Sequence, residues 1–415
     1  MTVERNGPPW PEIGGLGGEE FRGRVRDWLE ASLAGPFAGL RGAGGPGREH
    51  EAFHERLAWD RHLAAAGWTA LNWPASSGGR GATLSQQMIF HEEYARAAAP
   101  ARVSHLGEQL LGPTLIAYGT PEQQRRFLPP IAAVRELWCQ GFSEPGAGSD
   151  LASVATSARL DGGEWVISGQ KVWTSLAHVA DWIFVLARTT PGSRRGDGLS
   201  MLLVPVRQPG VTVRPIRQLT GTSEFNEVFF DDARTAADLV LGPAGQGWAV
   251  ARYLLGVERG AATFGQQIQF RREFDELVAR ARQAGAISDP AIRDRIARAW
   301  TGLQVMRWYA LTALADGAIS PGTGGAVSPD GAEASVLKLL WSRWHKELGE
   351  LAMDVAGARS LVAAGPPYEL DDWQRLFLFS RADTIYGGSD EIQLGIIAGR
   401  GLGLPREPAP AGAGS

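Results

Sequence analysis

Cysteine is nearly absent from this chain of 415 residues: Cys139 stands alone, beside seven histidines. That excludes an internal disulfide framework and argues against a Cys/His zinc cluster, so no metal is expected. A strong excess of either charge is missing too. Lys plus Arg number 41 against 45 Asp plus Glu, a net charge of −4, so the basic surface of a general nucleic-acid binder is lacking. Long apolar runs are also missing. WIFVLA and SMLLVPV fall far short of the ~18–20 residues that cross a bilayer. The opening MTVERNGPPWPEIGG has no apolar stretch of secretory type. The expectation is a cytoplasmic protein of a reducing compartment, not inserted in a membrane.

Glycine is what the chain has in excess: 54 residues, ~13% against the roughly 7% of average usage. Hydrophobic residues make up 44% and prolines number 25, so this is no disorder signature. The excess implies many turns, or close backbone approaches, in a chain long enough for two or three domains.

The texture changes twice along the chain. Residues 1–20 are rich in Gly and Pro and read as a loose lead-in. From 21 to 138 the spacing is helical: Phe21, Val25, Trp28 and Leu29 recur on one face, as do Phe53, Leu57, Trp59 and Leu63. GAGGPG at 42–47 and WPASSGGRGA at 73–82 read as loops. Thr120-Pro121-Glu122 reads as cap, first-turn proline and early acid, opening a helix through Arg125 and Phe127. From 139 to 245 come EWVISGQKVW, ADWIFVLART, GLSMLLVPV, VTVRPI and EVFFDDA, β-rich runs at the spacing of a small antiparallel sheet or barrel. Helical periodicity returns over 246–403, broken by a loop at 317–331. A disordered tail is expected over 404–415.

Four segments have residue types suited to chemistry. Ser143-Glu144-Pro145-Gly146-Ala147-Gly148-Ser149-Asp150 offers free backbone N–H groups that wrap an anionic or polar ligand, or it is an ordinary turn. Gly169-Gln170-Lys171-Val172-Trp173-Thr174-Ser175 ends a strand with an indole able to cover a flat ring and two hydroxyls able to donate to its edge. A core Trp at a strand end has the same pattern. Glu258 has Leu254 and Leu255 one helical turn back and Ala261 and Ala262 one turn on. A carboxylate ringed by apolar groups has its pKa raised toward neutrality, as a general base needs, or it is a buried glutamate paired with an arginine. In Asp383-Thr384-Ile385-Tyr386-Gly387-Gly388-Ser389-Asp390-Glu391, two glycines break a helical run and Ser389 with Glu391 starts another, which is also what a plain helical corner looks like.

Together these segments resemble the acyl-CoA dehydrogenase family from about Phe21 to Pro405. SEPGAGSD, GQKVWTS, Glu258-Arg259 and IYGGSDEIQ…GLGLP stand in the family's order and spacing. The variant resembled most is the bacterial branch acting in lipid, steroid side-chain or other acyl-CoA breakdown. The implied fold is α+β: an N-terminal helical domain, a middle antiparallel β-domain and a C-terminal four-helix bundle. The implied activity is FAD-dependent α,β-desaturation of an acyl thioester, carried on CoA or an acyl carrier protein. An electron-transfer flavoprotein is the implied acceptor, and a homodimer or homotetramer the implied assembly. By position, the resemblance puts Phe142 and Ser143 against the isoalloxazine, and Gly148 and Ser149 along the flavin or the acyl-CoA. Trp173 covers the flavin, with Ser175 near N5. Ser389 and Glu391 touch FAD, Arg271 reaches its pyrophosphate, and Arg259, Gly387 and Gly388 flank the acyl-CoA.

Three departures carry information. Many members place the catalytic glutamate directly after the tyrosine, as Tyr-Glu-Gly; here the text is Tyr386-Gly387-Gly388. Another branch places the base at the position of Glu258, so Glu258 is the expected base, while the Gly387 N–H keeps a carbonyl-polarising role. The family's Arg-x-x-Phe-Gly reads Arg271-Arg272-Glu273-Phe274-Asp275, and its Gln-x-x-Gly-Gly reads Met353-Asp354-Val355-Ala356-Gly357. Both motifs normally reach a neighbouring subunit's FAD, so a mixed oligomer with fewer flavins than subunits is the alternative assembly. A flavin oxidase or monooxygenase, and a weakly catalytic partner subunit, are the alternative functions.

Overall fold

The computed structural model describes residues 13–258, 262–315 and 332–405. The chain forms two compact units, one up to Gln218 plus Thr222–Leu254, the other Leu219–Gly221 with most residues from Leu255 onward.

The first unit opens with helices. Helix α1 (Gly18–Ala34) buries Phe21, Val25, Leu29 and Leu33, an i, i+4 stripe along one face. It starts inside the stretch read as a loose lead-in, and Ile13 is already buried; an apolar side chain with a core to join orders the segment despite its glycines. Helix α2 (Phe53–Ala65) adds Trp59 and Leu63, and α3 (Leu84–Arg96) adds Ile89 and Phe90 to the same core. Each such side chain contributes ~1.5–3 kcal/mol on burial. Helices α4 (Gly112–Tyr118) and α5 (Pro121–Ala132) follow. Thr120 caps α5, its hydroxyl accepting from the Gln123 N–H while Gln123 returns a bond to the Thr120 N–H.

The sheet has eight strands: β1 (Trp138–Gly141), β2 (Ser157–Asp161), β3 (Glu164–Ser175), β4 (Trp182–Arg188), β5 (Leu199–Pro205), β6 (Val211–Ile216), β7 (Phe225–Ala236) and β8 (Val240–Leu241). Their order is β6-β7-β3-β2-β4-β5-β8, with β1 on β4. Strands β4 and β5 are apolar apart from Arg188 and Ser200 and buried on both faces along their centres; β6 alternates and wets one face. The expectation of an antiparallel sheet needs one correction: β1 runs parallel to β4, and β2 meets β4 parallel at its end. The short WCQG run has no pattern that reveals its direction. Ile167, Ile183, Val185, Leu202, Val204 and Val228 form the centre of the core.

Helix α6 (Gly247–Glu258) follows the sheet. The second unit is built from α7 (Ala262–Gln283), α8 (Pro290–Ala315), α9 (Glu333–Ala356) and the short α10 (Asp372–Phe379) and α11 (Asp390–Ile396). Phe270, Leu277, Met306, Trp344, Leu348 and Trp373 bring α7, α8, α9 and α10 into one core. The glycines at 387–388 do not end α10. It stops at Phe379, and 380–388 is a run of turns held by tertiary bonds described below. The expected loop at 317–331, and most of the expected tail, lie outside the described residues.

Candidate active site

The first group of expected site residues gathers at one end of the sheet. The backbone after β1 carries Phe142 and Ser143, and the Val172 N–H of β3 donates to the Ser143 carbonyl at 2.9 Å. That bond sets Phe142 and Ser143 beside Trp173 and Ser175. Phe142 is buried, edge-on to Phe184. Pairing between β3 and β7 slips between Lys171 and Thr174, so Val172 and Trp173 lie opposite one residue. This bulge holds Trp173 at φ 62°, a conformation costing ~1–2 kcal/mol for a non-glycine residue. It turns the indole out: Trp173 is 58% exposed, touching Phe225 edge-on. Ser143 and Ser175 are half-buried, and neither hydroxyl hydrogen-bonds among the described residues. Thr174 Oγ1 and Asn226 Oδ1 are buried with no partner among those residues. Gly148 and Ser149 are exposed on the loop, and a Cβ at Gly146 or Gly148 would meet nothing within 4 Å. The chain's own packing therefore does not require those glycines; they leave bare backbone toward solvent.

Sequence reasoning missed what holds this loop. Lys171 is fully buried, its ammonium donating to the Phe142 carbonyl (2.9 Å), the Leu186 carbonyl (2.7 Å) and Glu144 Oε1 (2.8 Å). The Glu144 carboxylate also accepts from the Ala155 and Thr156 N–H groups. Burial would raise its pKa, but Lys171 and those donors hold it below the usual carboxylate range. Both residues stand in the quoted motifs; the available signal was a lysine in the middle of a strand.

The second group lies in the second unit. Gly387 and Gly388 have φ 65° and 89°, a left-handed pair that glycine adopts without strain. Gln393 Nε2 donates to both their carbonyls, at 3.0 and 3.1 Å. Their N–H groups donate to nothing among the described residues, and both glycines are half-buried, so two backbone donors are left for a ligand. Ser389 caps α11 by accepting from the Ile392 N–H, and the exposed Glu391 sits in its first turn. That position, with its own N–H and the Ser389 hydroxyl, lowers the Glu391 pKa. Arg271 is elsewhere engaged, its Nε donating to Asp275 at 2.8 Å and its guanidinium lying over Trp300. Glu258 is the last residue of α6; its side chain, and Arg259, lie outside the described residues.

These features test the fit to a flavin. An outward indole, two unengaged hydroxyls at a strand end and bare glycine backbone suit a flat heteroaromatic ring with a polar edge. The fit is poorer for the phosphates of a neighbour's nucleotide, since Arg271 shares its guanidinium with Asp275 in an exposed pair and Met353 has no amide to donate.

Comparison with known proteins gives the class. Family models match along the chain: "Acyl-CoA dehydrogenase, N-terminal domain" over 18–135, "middle domain" over 139–233 and "C-terminal domain" over 245–402. The chain belongs to the acyl-CoA dehydrogenase family, an FAD-dependent family of enzymes, and has its three-part fold. It is 63% identical to acyl-CoA dehydrogenase IpdE1 of Mycobacterium tuberculosis (strain ATCC 25618 / H37Rv), over 94% of this chain and 98% of the relative. It is 60% identical to IpdE1 of Mycolicibacterium smegmatis, with the same coverage. Among solved structures it resembles the ChsE4-ChsE5 complex from Mycobacterium tuberculosis (TM-score 0.77, 30% identity, 96% of this chain and 100% of that one). It also resembles the Tcur3481-Tcur3483 steroid ACAD G363A variant (TM-score 0.79, 29% identity, 94% and 99%).

Proposed function

We propose that this acyl-CoA dehydrogenase desaturates an acyl-CoA thioester with a bulky, branched or ring-bearing acyl group, using Glu258 as the base. The observation that carries the reading is the Tyr386-Gly387-Gly388 turn. It has no carboxylate where many relatives have one, and its N–H groups are unengaged among the described residues. A glutamate at 258 then supplies the base from a different helix, and the absent side chain leaves volume for a branched substrate. The steroid ACAD among its structural relatives supports a large acyl group.

In this reading the Gly387 N–H donates to the thioester carbonyl oxygen and acidifies the α-C–H. Glu258 takes the α-proton. Phe142, Ser143, Gly148, Ser149, Trp173, Ser175, Ser389 and Glu391 hold FAD, and Arg259 with Gly388 and Ser149 flanks the acyl-CoA. When bound, FAD would supply the acceptor for the β-hydrogen, with an electron-transfer flavoprotein as the onward electron acceptor. Trp173 covers one face of the bound ring, and Ser175 donates to the acceptor's polar edge.

Glu258→Gln tests the assignment. It should retain flavin and lose ~10²–10⁴-fold in rate, measured by anaerobic flavin bleaching across a panel of acyl-CoA thioesters. Substantial turnover in that variant removes Glu258 as the base. A strong preference for short straight chains refutes the bulky substrate.

The pairing of Arg271 with Asp275 favours a second reading of the assembly: a mixed oligomer in which this chain leaves the neighbour's nucleotide to another subunit. The ChsE4-ChsE5 complex among its relatives supports that arrangement.

A further inference from the structure

We propose that His345 is a positioning residue: held between Glu273 and Asp383, it fixes through Asp383 and the Tyr386 hydroxyl the turn that carries the unengaged Gly387 N–H. The proposal rests on the reading above for what that N–H does.

His345 lies on α9 and is 4% exposed. Its Nδ1 is 2.6 Å from Asp383 Oδ2 and its Nε2 is 3.0 Å from Glu273 Oε2 of α7. A neutral imidazole has one N–H, so its other nitrogen would set a lone pair against a carboxylate. With both carboxylates ionised, only the imidazolium, donating from both nitrogens, satisfies both contacts. Burial alone would discharge the ring, but Glu273 and Asp383 outweigh it and push its pKa up to about 10. Phe270 stacks on the ring at 4.5 Å between centroids, and Trp344 lies nearly parallel to it.

Asp383 carries this order to the turn. Its Oδ1 accepts from the Tyr386 hydroxyl at 2.6 Å, and its backbone carbonyl accepts from the buried Lys338 ammonium of α9 at 2.7 Å. Past Tyr386, Gln393 of α11 holds both glycine carbonyls. The turn is thus gripped by α9 through His345 and Lys338, by α7 through Glu273, and by α11 through Gln393. The charges of α11 are Asp390, which accepts from Arg343 at 2.8 Å and from the Ser342 hydroxyl, and the exposed Glu391. Glycine has no side chain to fix its own peptide plane, and two in succession make the direction of an N–H depend on its anchors. A donor displaced by ~1 Å can lose ~100-fold in rate.

A plain structural ion triad would affect stability alone, so the test compares His345→Gln, Asp383→Asn and Glu273→Gln in the full-length protein. Four quantities are read: flavin absorbance per chain, kcat and KM against pH, the urea unfolding midpoint, and deuterium uptake by the peptide over 384–393 without substrate. His345→Gln and Asp383→Asn should retain flavin, lose ~10-fold or more in kcat with little change in KM, and exchange faster over 384–393. Glu273→Gln leaves the Asp383 contact but removes one carboxylate from the imidazolium. Its alkaline fall in kcat should move at least about one pH unit below that of the wild type. Wild-type kcat in His345→Gln, or a lowered unfolding midpoint with unchanged exchange over 384–393, overturns the proposal. If the wild type bleaches with no thioester, the functional reading has failed. The exchange data still decide whether His345 holds the turn.

Discussion

A single residue, Trp173, shows how chemistry and backbone are coupled in this enzyme. Its identity is visible in the sequence, but its exposure is created by a bulge that forces a positive φ. A large aromatic side chain accepts that strain and stays wet, the reverse of what propensity and burial favour. Two residues before it on β3, Lys171 makes the complementary choice: a charge taken fully out of water because three acceptors wait for it. Lys171→Met should leave Glu144 buried with only its backbone donors and cost about 3–5 kcal/mol, read as a lowered urea midpoint. Because the same ammonium holds the Phe142 carbonyl, flavin should also be lost more readily on dialysis. Lys171→Met with Glu144→Gln should recover part of the stability, since no buried carboxylate is then left unpaired. A single variant as stable as the wild type would show that the pair does not anchor the loop.

Among the elements, helices were the most legible. Apolar stripes at helical spacing marked α1 and α2, and Thr120 announced α5. The central strands stood out as apolar runs. Helix α1 also has a charged feature that its periodicity does not show. Arg22, Arg26 and Arg96 converge on the buried Glu93 of α3, at 2.6 to 3.0 Å. Burial would raise this carboxyl, but the three guanidinium groups bring it down to about 2. A carboxyl depressed in the folded state stabilises above its unfolded pKa, and that stability is lost as pH falls from about 4.5 toward 2. Glu93→Gln should therefore be less stable than the wild type at neutral pH, with the gap closing as acid is added; circular dichroism against pH checks this. His345 has the opposite sign. Its raised pKa stabilises fully below about 6.5, and that contribution is lost as pH rises through about 10. The turn at 380–388 was the least legible element, because its anchors come from α7, α9 and α11, distant in sequence.

For the whole molecule, the pairing of Arg271 with Asp275 predicts that the chain purified alone carries less than one flavin per subunit. Co-expression with a complementary family member should yield a mixed assembly. Flavin absorbance per chain and the mass by light scattering check this; one full flavin per chain in a homo-oligomer would refute the mixed assembly. The sequence by itself determined the family, the order of helices, sheet and helices, and the absence of a carboxylate at 387. All are written in local spacing and in residue identity. Only the tertiary structure decided the parallel course of β1, the outward turn of Trp173, the burial of Lys171 against Glu144, and the clamp of His345 between two carboxylates. Each depends on groups far apart in the chain meeting where water is excluded. There the cost of an unpaired charge or donor, which no local pattern records, selects the arrangement.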